Sequence, residues 1–125
     1  MTKVAVVILN WNGKKLLEKY LPSVIEHSQQ AQIIVADNAS TDDSIAFLKE
    51  NYPHIRIIQN KENLGFAQGY NQALSQVDAE YYVLLNSDVE VTENWISGII
   101  YLMDKDPKIA CCQPKLMSFE NRDEF

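Results

Sequence analysis

Four short polar segments hold the residue types that could do chemistry. They are Asn10-Trp11-Asn12-Gly13, Asp37-Asn38-Ala39-Ser40, Asn60-Lys61-Glu62-Asn63-Leu64-Gly65 and Asn86-Ser87-Asp88. Each follows on an apolar run, the third after one intervening residue, Gln59. Asp88, with Asn86 and Ser87 beside it, offers hard oxygen donors of the kind that suit Mg²⁺ or Mn²⁺. The glycine-rich phosphate loops are absent: neither GxGxxG nor GxxxxGK[ST] occurs. Phosphate would therefore have to be neutralised by other means, and a divalent cation on Asp88 is the obvious candidate. His27 and His54 have no partner at metal-ligand spacing and read as surface residues.

The elements that must position these segments follow from the apolar pattern. Val4–Leu9 is a continuous β-branched run, as expected for a strand buried on both faces. Ile33–Ala36, Ile55–Ile58, Tyr81–Leu85 and Ile109–Cys112 read as four further strands. Between them lie helical stripes: Leu16, Leu17, Tyr20, Leu21, Val24 and Ile25; then Ile45, Leu48 and Tyr52; then Phe66, Tyr70, Ala73, Leu74 and Val77; then Trp95, Ile96, Ile99, Ile100 and Met103. Pro22 should kink the first helix or mark its weak point, and Pro53 should stop the second. Ser40 with Asp43 resembles a capping box, and Thr92 can cap the fourth helix. The β-α alternation predicts a parallel sheet with helices on both faces. Ligands in such sheets bind beyond the carboxyl ends of the strands, where all four polar segments fall.

Bulk properties narrow the function classes. A chain of 125 residues fits one domain. A net charge of −6 argues against a nucleic-acid binder, whose affinity rests on Lys and Arg neutralising phosphates. Cys111 and Cys112 are adjacent, so no disulfide framework is implied, and the pair reads as core of the fifth strand. A reducing, cytoplasmic setting fits this usage. No signal peptide or membrane span is visible.

The four segments, in this order and at these strand ends, resemble the beginning of the family 2 glycosyltransferases. Asn63, Gly65, Phe66, Ala67, Gly69 and Asn71 are most similar to the rhamnosyltransferase-like branch. The resemblance covers nearly the whole chain. It implies a GT-A fold of class α/β, three layers α/β/α around a mainly parallel sheet. It also implies inverting transfer of a sugar from a nucleotide-diphosphate donor, UDP- or dTDP-linked (dTDP-rhamnose among them), to a glycan or glycolipid acceptor. Polysaccharide biosynthesis at the inner face of a membrane would be the setting.

Position by position, the resemblance places an aromatic, here Trp11, near the nucleobase and an aspartate, here Asp37, against the pyrimidine. Asp88 matches the last aspartate of the DxD motif, which helps hold Mg²⁺ or Mn²⁺. Asn86 stands where that motif has its first carboxylate; an amide can bond a ribose or sugar hydroxyl but supplies no charge. Leu9, Asn10, Asn12, Asn63, Gly65, Asn71 and Ser87 complete the implied nucleotide-binding set. The family's general base is a later carboxylate, expected beyond Phe125, and Glu120, Asp123 and Glu124 are not assigned to it. Residues 1–117 then form the donor-binding part. Residues 118–125 form a polar tail, expected to fray, that leads to an acceptor-binding part missing here. A sheet cut short in this way leaves apolar surface uncovered, so self-association is expected.

Blander readings exist for most of these residues. Asp37 alone reads first as an Asx-turn residue. Ser40 and Thr41 read as caps, Gly65 and Gly69 as points of close backbone approach, and Glu90 and Glu93 as solvated charges. Two rival functions share the alternating pattern. A nucleotidyltransferase would carry a glycine-rich basic loop after the first strand. A receiver-like signalling module would carry acidic residues at Asn10, Asn12 and Asn60.

Overall fold

The computed structural model describes residues 1–125. The elements follow the order β1 (Thr2–Asn10), α1 (Lys14–His27), β2 (Gln32–Asp37), α2 (Ser44–Asn51), β3 (Arg56–Gln59), α3 (Phe66–Leu74), β4 (Ala79–Asn86) and α4 (Ser97–Lys105). The four strands form one sheet in the order β3-β2-β1-β4, with every pairing parallel. β1 is central and buried on both faces, which is why its sequence is β-branched throughout.

Alternate residues of β1 feed two cores. Val4, Val6 and Ile8 pack with Leu17, Leu21 and Val24 of α1, Leu48 of α2, and Ile96. Ala5 and Val7 pack on the other face with Ile34, Ala36, Tyr70 and Ala73. Full burial of side chains such as Leu17, Leu21 and Leu48 stabilises the fold by about 1.5–3 kcal/mol each. Helices α1 and α2 therefore cover one face and α3 the other, giving three layers.

Several expectations are corrected. Ile109–Cys112 forms no strand, and β4 pairs with β1 alone. The run lies between Pro107 and Pro114, neither of which can donate to a ladder. Cys111 is accordingly exposed and Cys112 half-buried, so the pair is not core. Ser40 caps no helix, because α2 starts at Ser44. Helix α4 begins at Ser97, and Thr92 only accepts the Trp95 N–H in the turn before it. Trp95 instead donates its indole N–H to Ser28 Oγ at 3.0 Å.

Helix α1 runs through Pro22, which lies on its exposed side. The C-terminal tail turns back toward α1 and the end of β4. Phe119 meets Tyr20 edge-on at 5.7 Å, and Arg122 pairs with Glu90 at 2.8 Å.

Candidate functional site

The chain leaves β1 to build β2 and β3 on one side, then returns to place β4 on the other. The order thus reverses between β1 and β4, and the crevice at their carboxyl ends is the ligand position that open α/β sheets provide. The register sets Asn10 beside Asp37 and Leu9 beside Asn86. Gly13 lets the two loops approach: a Cβ there would lie 2.5 Å from Asn10 Oδ1 and 3.8 Å from Ser87 Oγ.

On the β1–β2 side the loops are tied by side chains. Asn10 Nδ2 donates to Asp37 Oδ1 at 3.0 Å and to Ser40 Oγ at 3.2 Å. Asp37 Oδ2 accepts the Ser40 N–H at 2.9 Å, so its side chain does brace the turn, but to the third residue on and not to the second as in an Asx-turn. Each Asp37 oxygen carries one of these bonds and keeps a further lone pair. Asn12, in a left-handed conformation at φ 50°, accepts from the backbone of Thr41 at 2.7 Å and of Asp42 at 3.2 Å. Its own N–H donates to Ser40 Oγ at 2.9 Å. Ser40 is thus a junction between the loops. Burial raises the Asp42 carboxyl, but hydrogen bonds from Ser44 and from the Lys14 N–H outweigh it and hold the group below its ordinary value.

A second network went unassigned in the sequence. Asn60 Nδ2 donates to Asn38 Oδ1 at 3.1 Å and to Gly69 O at 3.2 Å. Asn38 Nδ2 donates to Asn63 Oδ1 at 2.8 Å and to Gly65 O at 3.2 Å. Asn63 Oδ1 also accepts the Gly65 N–H at 2.9 Å. This amide chain fastens the N-terminus of α3 to the ends of β2 and β3. Gly65 sits at φ 94°, a conformation that favours glycine, and Gly69 packs where a Cβ would lie 3.0 Å from Asn38. The available signal was asparagine as the first residue after two successive strands.

The implied site residues divide by exposure. Trp11, Asn12, Asn63, Gly65, Asn71, Asn86 and Asp88 are exposed, and Leu9 and Ser87 are half-buried. Asp37 is 2% exposed and Asn10 has no exposed surface. Trp11, at 58% exposed, stands free between its two anchored asparagines. Asn86 and Asp88 crown β4 across the crevice. No three His, Cys, Asp or Glu side chains converge to hold a metal. A depression lined by Ile25, Ile33, His54 and Arg56 lies at the opposite edge of the sheet, away from these groups.

Residues 5–124 match the family described as Glycosyl transferase family 2. The chain belongs to this family. A relative from Haemophilus influenzae, named an uncharacterized glycosyltransferase, is 28% identical over 111 residues, covering 86% of this chain and 34% of the relative. An N-acetylglucosaminyl-diphospho-decaprenol L-rhamnosyltransferase of Mycobacterium tuberculosis is 23% identical, covering 87% of this chain and 39% of that one. Among solved structures, the mannosyltransferase PcManGT from Pyrobaculum calidifontis, in complex with GDP-Man and Mn²⁺, superposes with a TM-score of 0.75 at 22% identity. That match covers 86% of this chain and 33% of the other. TarS residues 1–349 of S. aureus, in complex with UDP-GlcNAc, gives a TM-score of 0.72 at 22% identity, covering 82% of this chain and 31% of that one. The fold is therefore GT-A. The family 2 chain spans about a third of the length of these relatives, corresponding to their N-terminal part.

Proposed function

We propose that this chain is the donor-binding part of an inverting glycosyltransferase that uses a UDP- or dTDP-linked sugar. The observation that carries the reading is the placement of Trp11, Asp37, Ser87 and Asp88 at the carboxyl ends of the adjacent strands β2, β1 and β4, beside the point where strand order reverses. Trp11 provides an exposed aromatic face for the base. Asp37, fixed by two hydrogen bonds, keeps lone pairs that can accept a pyrimidine N–H. Leu9 and Asn12 flank the base, while Asn63, Gly65 and Asn71 line the α3 side. Asn86 and Ser87 are suited to hydroxyls of the ribose or sugar.

The donor set at the end of β4 fits a divalent cation. It is all oxygen, with one exposed carboxylate, and phosphate and water supply the remaining ligands of a hard ion. Asp88 would hold Mg²⁺ or Mn²⁺, with Asn86 and Ser87 beside it. Such an ion supplies neutralisation of charge on the departing nucleoside diphosphate. With the single carboxylate of Asp88, affinity should depend on the phosphates of the ligand.

The donor specificity we favour is dTDP-rhamnose, on the Asn63–Asn71 pattern and the named activity of the mycobacterial relative. That relative's name carries a decaprenol acceptor, which supports a lipid-linked glycan acceptor and action at the cytoplasmic face of a membrane. No helix here is long and apolar enough to cross one. The general base would come from an acceptor-binding part beyond Phe125. Tyr82 and Leu84 are exposed on β4, whose outer edge has no partner strand, so this chain alone should self-associate.

Calorimetric titration with UDP, dTDP, GDP and ADP, with Mn²⁺ and then with a chelator, tests the reading. Metal-dependent binding of the pyrimidine diphosphates over the purines is the expected result. Equal binding of all four, or binding indifferent to chelator, would overturn it.

A further inference from the structure

We infer that Asn10 is a positioning residue, which sets nucleotide affinity by holding the Asp37 carboxylate and not by touching the ligand. The inference rests on the proposed nucleotide site. Asn10 has no exposed surface, so a ligand in the crevice cannot reach its side chain. Both protons of its amide are committed, to Asp37 Oδ1 and to Ser40 Oγ. The Asp37 bond fixes the orientation of the amide, since turning it over would set Oδ1 against a carboxylate oxygen.

This orientation has a cost. Asn10 Oδ1 is buried with no hydrogen-bond partner, the only such side-chain atom in the structure. It faces Gly13, where any Cβ would come within 2.5 Å. A buried acceptor left unpaired calls for an explanation. Here the explanation is its other end: Nδ2 joins Asp37 to the Ser40 junction, and Ser40 in turn receives the Asn12 N–H. One amide thus fixes Asp37 in the same frame as both neighbours of Trp11. A threonine or alanine at position 10 would fill the strand end, but neither could donate to two acceptors at once.

The test is a double-mutant cycle on UDP affinity, using Asn10→Ala, Asp37→Ala and the double variant, with thermal unfolding measured on each. If Asn10 acts through Asp37, each single variant weakens UDP by about five- to tenfold, and the double variant is no weaker than Asp37→Ala. Additive losses would overturn the inference while leaving the nucleotide site standing. Wild-type affinity in Asp37→Ala would overturn the site reading itself.

A ligand-independent arm decides the contact whatever UDP does. In the ¹⁵N spectrum the Asn10 side-chain amide should exchange slowly, and in Asp37→Ala the proton given to Asp37 should lose that protection while the β1 backbone amides keep theirs. An unprotected Asn10 amide in the wild type would overturn the inference. Asn10→Asp provides an isosteric check. It replaces the two-proton donor by a carboxyl that repels Asp37 or, when protonated, donates to one acceptor only, and should lose UDP affinity at least as far as Asn10→Ala; full affinity in that variant would also overturn the inference.

Discussion

Replacing Asn38 by aspartate is a near-isosteric change with a large expected effect. Asn38 is 2% exposed and sits at the centre of the amide chain between β2, β3 and α3. The Asn38→Asp variant loses both donations, to Asn63 Oδ1 at 2.8 Å and to Gly65 O at 3.2 Å, and sets acceptor against acceptor at each. Two net hydrogen bonds are worth about 1–2 kcal/mol here, because Asn63 and Gly65 are exposed and can turn to water. The new carboxylate must in addition be buried with one donor, Asn60 Nδ2, or be protonated, adding roughly 1–3 kcal/mol. The sum is about 3 kcal/mol, against about 2 kcal/mol for Asn38→Ala, which introduces no charge. Urea unfolding followed by circular dichroism at pH 7 measures both. With a slope of about 1–3 kcal/mol/M, the Asn38→Asp midpoint should fall by at least about 1 M. An unchanged midpoint, or an Asn38→Ala variant less stable than Asn38→Asp, would refute the amide orientation on which the network depends.

Gly13→Ala forces a Cβ onto the Asn10 oxygen and should cost about 1–3 kcal/mol in the same assay, with UDP affinity falling alongside. Asp88→Ala should abolish the metal dependence of nucleotide binding and leave thermal stability within about 0.5 kcal/mol, since Asp88 is exposed; calorimetry with and without Mn²⁺ reads it. Tyr70 donates to Leu85 O at 3.0 Å, so Tyr70→Phe should cost about 1 kcal/mol. Burial raises the Tyr70 phenol, with a smaller opposing contribution from the Leu9 backbone. A folded value above the unfolded one gives stability that is complete below about pH 10 and lost as pH rises through the folded value, and Tyr70→Phe should remove that alkaline loss. Asp104 is held below its ordinary value first by Lys3 and then by Tyr81. Its contribution is therefore present above the usual carboxylate range and lost as pH falls through the folded value. Being fully exposed it is small, and Lys3→Ala should flatten the acid limb of a thermal-melt series.

The alternation of β-branched runs and helical stripes was readable in the chain, because burial on two sheet faces or one helix face leaves a periodic trace. That alone fixed the β1-to-β4 order, the three layers and the polar strand ends. The failures came where local pattern met tertiary context. Ile109–Cys112 has strand composition, yet a strand exists only if a neighbour offers an edge and the flanking residues allow pairing, and Pro107 and Pro114 do not. Ser40 has the spacing of a cap, yet its hydroxyl is taken by Asn10 and Asn12, which lie some thirty positions earlier in the chain.

Sequence by itself determined that Asn10, Asp37, Asn38, Asn60, Asn86 and Asp88 would stand at one edge of the sheet, since each ends or follows a strand. Only the tertiary structure decided what each does there. The order β3-β2-β1-β4 puts β1 and β2 side by side, so Asn10 is buried against Asp37 and Asn38 against Asn60. The same order leaves β4 at the edge, so Asn86 and Asp88 stay open to solvent. Chemically alike residues become an internal brace or stay exposed according to which strand is neighbour to which, and hydrogen-bond partners distant in the chain leave no periodic trace to read.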